Sequence, residues 1–164
     1  MQGAKHGDAD GLDELERHEM FRGSCPTRVD EKGRLKVPAD YKRLVEESGK
    51  EFYITSTDGK RAQIYPMKEW EKKEAVLAEI PASNPARRKF LDVTSYYGQV
   101  VEADQQGRLL LPQLLRDAAK LTGDVVVLGQ MKILEIVNHD EFKGGLDANP
   151  LTDDDLEALA GFGL

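Results

Sequence analysis

From Val29 onward, apolar and polar positions follow one succession of periods that then recurs. Val29, Leu35 and Val37 alternate with polar residues, the pattern of a half-buried strand, and Gly33 punctuates it as a turn. Pro38 suits the first position of a helix. Tyr41, Leu44 and Val45 follow at i, i+3 and i+4, and Gly49 ends that helix. Two β-rich runs, "EFYITST" and "RAQIY", flank Asp58-Gly59 and predict a hairpin. Pro66 then opens a second helix with Met67, Trp70 and Leu77 on one face.

The second half repeats this order. "VVEADQQGRLLLP" supplies a strand and turn, and Leu114, Leu115, Ala118 and Leu121 line a helix that stops at Gly123. "DVVVLGQMKILEIV" predicts a strand pair turning near Gly129-Gln130, and "NHDEF" matches "PMKEW", so that Phe142 corresponds to Trp70. The first offset between the halves is 74 residues and the last is 72, which a single two-residue deletion in the second hairpin explains. Each half therefore reads β-α-β-β-α. Between them, Asn84 as N-cap, Pro85 at the first turn and Phe90 and Leu91 on the apolar side predict a connecting helix. Near the end, Thr152 caps a short acidic helix over "TDDDLEALA".

The expected organisation is a disordered acidic extension over 1–19, a first repeat over 20–80, a connecting helix over 81–97, a second repeat over 98–142 and an acidic tail over 143–164. A half of about fifty residues with short strands buries too little to stand alone. Two copies can close on each other and hide their edge strands. The fold class expected is α+β: one domain of two half-barrels related by a pseudo-dyad and flanked by helices.

Composition changes this picture in one respect. The net charge of -7 over 164 residues argues at first against a polyanionic partner. Residues 1–19 carry net -4 and residues 138–164 net -6, so the middle carries about +3. A single cysteine, Cys25, fits a reduced, cytoplasmic compartment. No apolar run approaches the roughly 18 residues of a membrane span, and no membrane partner is expected. His6, His18 and His139 lie far apart, so no metal site is expected. Neither a Ser-His-Asp or Cys-His set nor a phosphate-binding G-x-x-x-x-G-K-[ST] loop is evident, so neither enzyme activity, a small-molecule substrate nor a cofactor is expected.

The repeat carries its own chemistry. "DEKGRLKVP" at Asp30–Pro38 and "DQQGRLLLP" at Asp104–Pro112 share the pattern D-x-x-G-R-L-x-x-P. Asp30 and Asp104 can accept turn N–H groups or pair with the arginine four positions on, and Gly33 and Gly107 can supply a positive φ. Arg34 and Arg108 then offer a planar fork suited to phosphate or guanine. An Asp–Arg pair that only staples the turn fits the same residues. In the first copy Arg28, Lys32, Arg34 and Lys36 share one parity, which an extended chain puts on one face. The second copy keeps only the arginine, with Glu102, Gln106 and Leu110 at the other positions. Leu110, apolar on an outward face, suggests an oligomer interface. The first copy is thus expected to carry more of a nucleic-acid contact and the second more of the assembly. Arg87, Arg88 and Lys89 fan outward on a helix and read as a solvated face.

With both motifs, the opening "MFRG", "YPMKEW", "LPQLLRDAAKLTGDVVVLGQ" and "LEIV" in this order, the chain resembles the MraZ family of the AbrB-like swapped-hairpin proteins over roughly Met20 to Phe142. The resemblance implies a double swapped-hairpin barrel and a DNA-binding transcriptional regulator, usually a repressor, assembled as a closed ring. It implies double-stranded DNA as partner, with G-rich direct repeats upstream of its own division and cell wall genes, and a cytoplasmic, nucleoid-associated protein. The family's DNA-contacting arginines map onto Arg34 and Arg108, and its aspartates onto Asp30 and Asp104. Two alternatives stand beside it: an antitoxin-like protein whose acidic tail holds a toxin, and a ring scaffold without a DNA role.

Removal of residues 1–19 is expected to leave the circular dichroism spectrum and melting temperature of the remaining chain unchanged; a loss of cooperative melting would show that the extension belongs to the folded unit.

Overall fold

The computed structural model describes residues 20–164, and the expectation of a disordered extension over 1–19 lies outside those residues. The strands are β1 (Ser24–Val29), β2 (Arg34–Lys36), β3 (Glu51–Thr55), β4 (Ala62–Pro66), β5 (Gln99–Glu102), β6 (Arg108–Leu110), β7 (Gly123–Gln130) and β8 (Ile133–Asn138). The helices among the described residues are α1 (Ala39–Glu47), α2 (Met67–Ala78), α3 (Pro85–Tyr96), α4 (Gln113–Ala119), α5 (His139–Ala148) and α6 (Asp153–Ala160). All strands join one antiparallel sheet in the order β5-β3-β4-β8-β7-β1-β2-β6, and its two edges come back beside each other as a nearly closed barrel. The α+β double swapped-hairpin barrel is therefore the fold.

The strand order establishes the pseudo-dyad. Exchanging β1 with β5, β2 with β6, β3 with β7 and β4 with β8 returns the same circular order. Two pairs lie across the axis. In β2–β6, Leu35 faces Leu109, 74 residues on, and in β4–β8, Gln63 faces Glu135, 72 residues on. Two of the pairings away from the axis also cross between halves: β1 lies along β7 over six residue pairs, and β3 along β5 over four. Neither half completes a sheet by itself. The barrel interior is filled by side chains from both, including Leu35, Phe52, Ile54 and Ile64 from the first and Leu109, Leu111, Val127 and Ile136 from the second.

Several details differ from the sequence analysis. Each half is β-β-α-β-β-α, because the turn at Gly33 or Gly107 reverses the chain and makes two strands where one strand and a turn were expected. The change of offset is split. The buried Phe52, Ile54 and Thr55 of β3 match Val125, Val127 and Leu128 of β7 at 73 residues, so one residue is lost before this strand and one in the hairpin. The second hairpin turns at Met131-Lys132, with Met131 at φ 63°, rather than at Gly129-Gln130. Gly129 instead lies against the "MFRG" segment: a Cβ there would stand 2.4 Å from the Arg22 nitrogen, and Gly129 N donates to Gly23 O at 2.7 Å. Pro38 and Pro112 are N-caps rather than first-turn residues. The helix after Pro112 ends at Ala119, with Lys120 left-handed, and buries Leu115 and Ala119 while Leu114 and Ala118 are exposed. Four-residue spacing to the barrel, i and i+4, outweighs the broader apolar stripe.

The connecting helix forms as expected, with the Asn84 side chain accepting from Ala86 N and Arg87 N. Trp70 is buried among Tyr53, Tyr65 and Phe90, with ring centroids at 4.5, 5.0 and 6.4 Å, and so fixes α2 and α3 to the sheet. Its counterpart Phe142 is only partly buried beneath the Arg61 guanidinium. Thr152 and Asp155 close a reciprocal capping box at the start of α6.

Leu35 and Leu109 are both fully buried, so Leu35→Ala and Leu109→Ala should each lower unfolding free energy by about 2–5 kcal/mol. Urea denaturation measures this, and a cost near zero for either would mean that the β2–β6 seam contributes little.

Candidate functional site

The two D-x-x-G-R elements are hairpin turns of identical construction. Gly33 N donates to Asp30 O, and Asp30 N to Arg34 O, both at 2.9 Å; Gly107, Asp104 and Arg108 repeat both bonds at the same length. Three residues separate the aspartate from the arginine, and the last is a glycine at φ 87° or 75°. This is the arrangement of a three-residue hairpin closed by a left-handed glycine, and it explains the D-x-x-G spacing.

The aspartate side chain then fills the turn. Asp30 Oδ1 accepts from Lys32 N at 3.0 Å and Arg34 N at 2.9 Å, and Oδ2 accepts from Arg34 Nε at 2.9 Å. Asp104 does the same with Gln106 N, Arg108 N and Arg108 Nε at 2.9, 2.9 and 2.8 Å. The backbone N–H of the arginine, foremost, holds each carboxyl below the usual aspartate value; the guanidinium and the second turn N–H add to the shift, and partial desolvation opposes it. The bond to aspartate uses Nε, which fixes the plane of the guanidinium, and the Arg34 and Arg108 side chains stay 30% and 27% exposed.

Cross-strand pairing brings the two arginines together. Residues opposite each other in an antiparallel pair share a face. Leu35 and Leu109 point inward, so Arg34 with Leu110, and Lys36 with Arg108, lie on the outer face of β2–β6. Arg108 Nη1 is also 3.8 Å from Asp30 Oδ2, across the pseudo-dyad. Arg34, Lys36 and Arg108 thus form one basic group fed by both halves. Such a group can bind phosphate oxygens or the acceptor edge of guanine.

The other expected residues are placed differently. Lys32 sits in the exposed turn, not on the strand face, because the reversal at Gly33 breaks the parity. Arg28 lies outward on β1 but pairs with Asp124 of β7 at 3.6 Å, with both side chains largely exposed. Leu110 is 46% exposed and stands opposite Arg34, so the surfaces assigned to nucleic acid and to assembly coincide at this position. Arg87 does not fan outward with Arg88 and Lys89: its Nε donates to Leu77 O at 3.0 Å.

Sequence reasoning missed Arg116. Its guanidinium lies over Gly33, where a Cβ would stand 2.3 Å from Cζ, and its Nε donates to Leu111 O at 3.0 Å. Lys42, 74 residues earlier, approaches Gly107 in the same way, with Cε 3.9 Å from a Cβ there. The repeat offset was the signal that could have found both.

Comparison with known proteins gives concordant results. The model of a family described as "MraZ protein, putative antitoxin-like" matches residues 20–93 and 98–158. A protein of Acidobacterium capsulatum named "Transcriptional regulator MraZ" is 61% identical over 146 residues, covering 88% of this chain and 100% of its own. Proteins of the same name from Koribacter versatilis and Serratia proteamaculans are 50% and 32% identical, covering 88% and 84% of this chain and 100% and 94% of their own.

The depressed carboxyls set a pH dependence. A folded-state pKa below the unfolded value contributes stability that is complete above the ordinary aspartate value and is lost as pH falls through the folded value. Carbonyl carbon NMR titration should find Asp30 and Asp104 below about 3.9, the ordinary value. The Asp30→Asn/Asp104→Asn variant should lose less stability than the parent over the same acid range; equal losses would show that these turns do not drive the acid sensitivity.

Proposed function

Because the chain belongs to the MraZ family, whose relatives above are named transcriptional regulators, we propose that it is a DNA-binding regulator of transcription that reads DNA through the outer face of β2–β6. The observation that carries this reading is the pair of arginines, each held by its own aspartate, side by side across the pseudo-dyad. A side chain fixed before binding loses less freedom on binding. Two forks at a fixed separation suit neighbouring acceptors on a duplex better than a flexible patch does.

In this reading Arg34 and Arg108 contact base edges or phosphates, with Lys36 and Lys32 supporting them electrostatically. Arg28, tied to Asp124, is a weaker contributor. A bidentate arginine at guanine O6 and N7 adds about 1–3 kcal/mol of discrimination, which fits G-rich direct repeats upstream of the protein's own division and cell wall genes. The middle of the chain carries only about +3, so one copy binds weakly. A closed ring of copies engaging spaced repeats converts several weak contacts into one strong one by effective concentration. Binding over the promoter region makes repression the direct consequence.

Fluorescence anisotropy on the upstream region, at several salt concentrations, tests the proposal. Arg34→Ala and Arg108→Ala should each weaken binding by about 1–3 kcal/mol and reduce the salt slope by about one unit. Equal affinity for the native and a scrambled duplex would overturn sequence-specific reading. Leu110→Lys copies Lys36 into the second motif and should strengthen binding and steepen the salt slope by about one unit. If this variant instead dissociates the oligomer, Leu110 belongs to the subunit interface.

A further inference from the structure

A groove of about 770 Å³ lies between α2, α3 and the β7–β8 turn, away from the β2–β6 face. Its apolar lining includes Val76, Leu77, Ile80, Phe90, Met131 and Ile133, and Val76 and Met131 are 65% and 61% exposed. Lys72, Lys73, Arg87 and Lys132 stand at the same groove against the single carboxylate of Glu69. An open apolar trough with a basic surround calls for an apolar ligand carrying negative charge.

The chain supplies such a ligand itself. Every residue from Lys143 to Leu164 is exposed, although this stretch contains two helical segments. In α6, Leu156 and Leu159 lie at i and i+3, followed by Phe162 and Leu164, and all four are exposed large hydrophobics. Asp153, Asp154, Asp155 and Glu157 occupy the same helix. We propose that the groove receives the C-terminal segment around α6 of a second copy of this chain, with the leucines on Val76, Leu77 and Met131 and the carboxylates toward the basic surround.

The second copy is favoured over the same chain because within one chain the two surfaces do not meet: every residue of α6 is exposed, as are Val76 and Met131 of the groove. α5 leaves β8 at Asn138, whereas the groove borders Gln130–Ile133, at the other end of that strand. Groove and tail are different patches, so each copy can give its tail to one neighbour and receive that of another, a head-to-tail contact that propagates around a ring if the rotation closes, whereas reciprocal exchange between two copies would stop at a dimer. The inference rests on the reading that copies assemble and is independent of DNA binding.

Cross-linking in the full-length chain tests it. In a Cys25→Ser background, Val76→Cys and Leu159→Cys combined in one chain should give, on oxidation, a ladder of covalent oligomers on a denaturing gel. A single-chain band of altered mobility, meaning a link within one chain, would overturn the second-copy occupant, and so would no link. Without cross-linking, Val76→Asp and the Leu156→Asp/Leu159→Asp pair should each lower the mass measured by light scattering, since both sites are exposed and should leave the melting curve in place. A mass lowered by Val76→Asp but not by the tail variant would show that something else fills the groove and would also overturn the proposal. An unchanged oligomer in both variants would refute this docking while leaving assembly intact. A parent chain that is monomeric would refute assembly itself.

Discussion

The fold depends on strand exchange between its halves. β1 finds its long partner in β7, and β3 finds its second partner in β5, so each half's edges are satisfied only by the other. Unpaired edges in a sheet of short strands leave backbone donors and acceptors open and invite association with foreign strands. Exchange removes both problems at once and draws the two apolar faces into one interior. It also explains why the repeat extends across the whole compact region: one motif without its copy would have neither a core nor a closed sheet.

Exchange also fixes where the repeated arginines meet. The dyad passes between Leu35 and Leu109, so the residues on either side of them, of opposite parity, converge on the outer face. The turn that places each arginine is made by the same aspartate that orients its guanidinium. A stapled turn and the proposed binding group, which the sequence offered as alternatives, are therefore compatible in one arrangement. The staple sets the plane of a guanidinium that stays partly exposed.

The symmetry is broken where the two copies have different neighbours. Trp70 stands among three aromatic rings because the connecting helix α3 brings Phe90 to it, while among the described residues no such helix reaches Phe142, which meets Arg61. The groove lies on the Trp70 side and the uncovered acidic tail follows the Phe142 side. One duplication thus yields a shared basic face on the axis and two unlike patches off it.

The repeat, its spacing, the glycine turns, the Asn84 and Thr152 caps and the α+β barrel were readable from the sequence, because each rests on local rules: period, turn chemistry and capping. Asp30 with Arg34 was readable for the same reason, being four residues apart. What the sequence could not supply were relations between distant residues. The register that sets Arg34 opposite Leu110, the bond between Arg28 and Asp124, Arg116 over Gly33 and the loss of one residue before β7 and another after it all depend on how two segments slide past each other. Side-chain period is two along a strand, so a shift of one residue exchanges the inner and outer faces. Only closure of the barrel around a filled core selects one register, and that selection decided which residues share a surface.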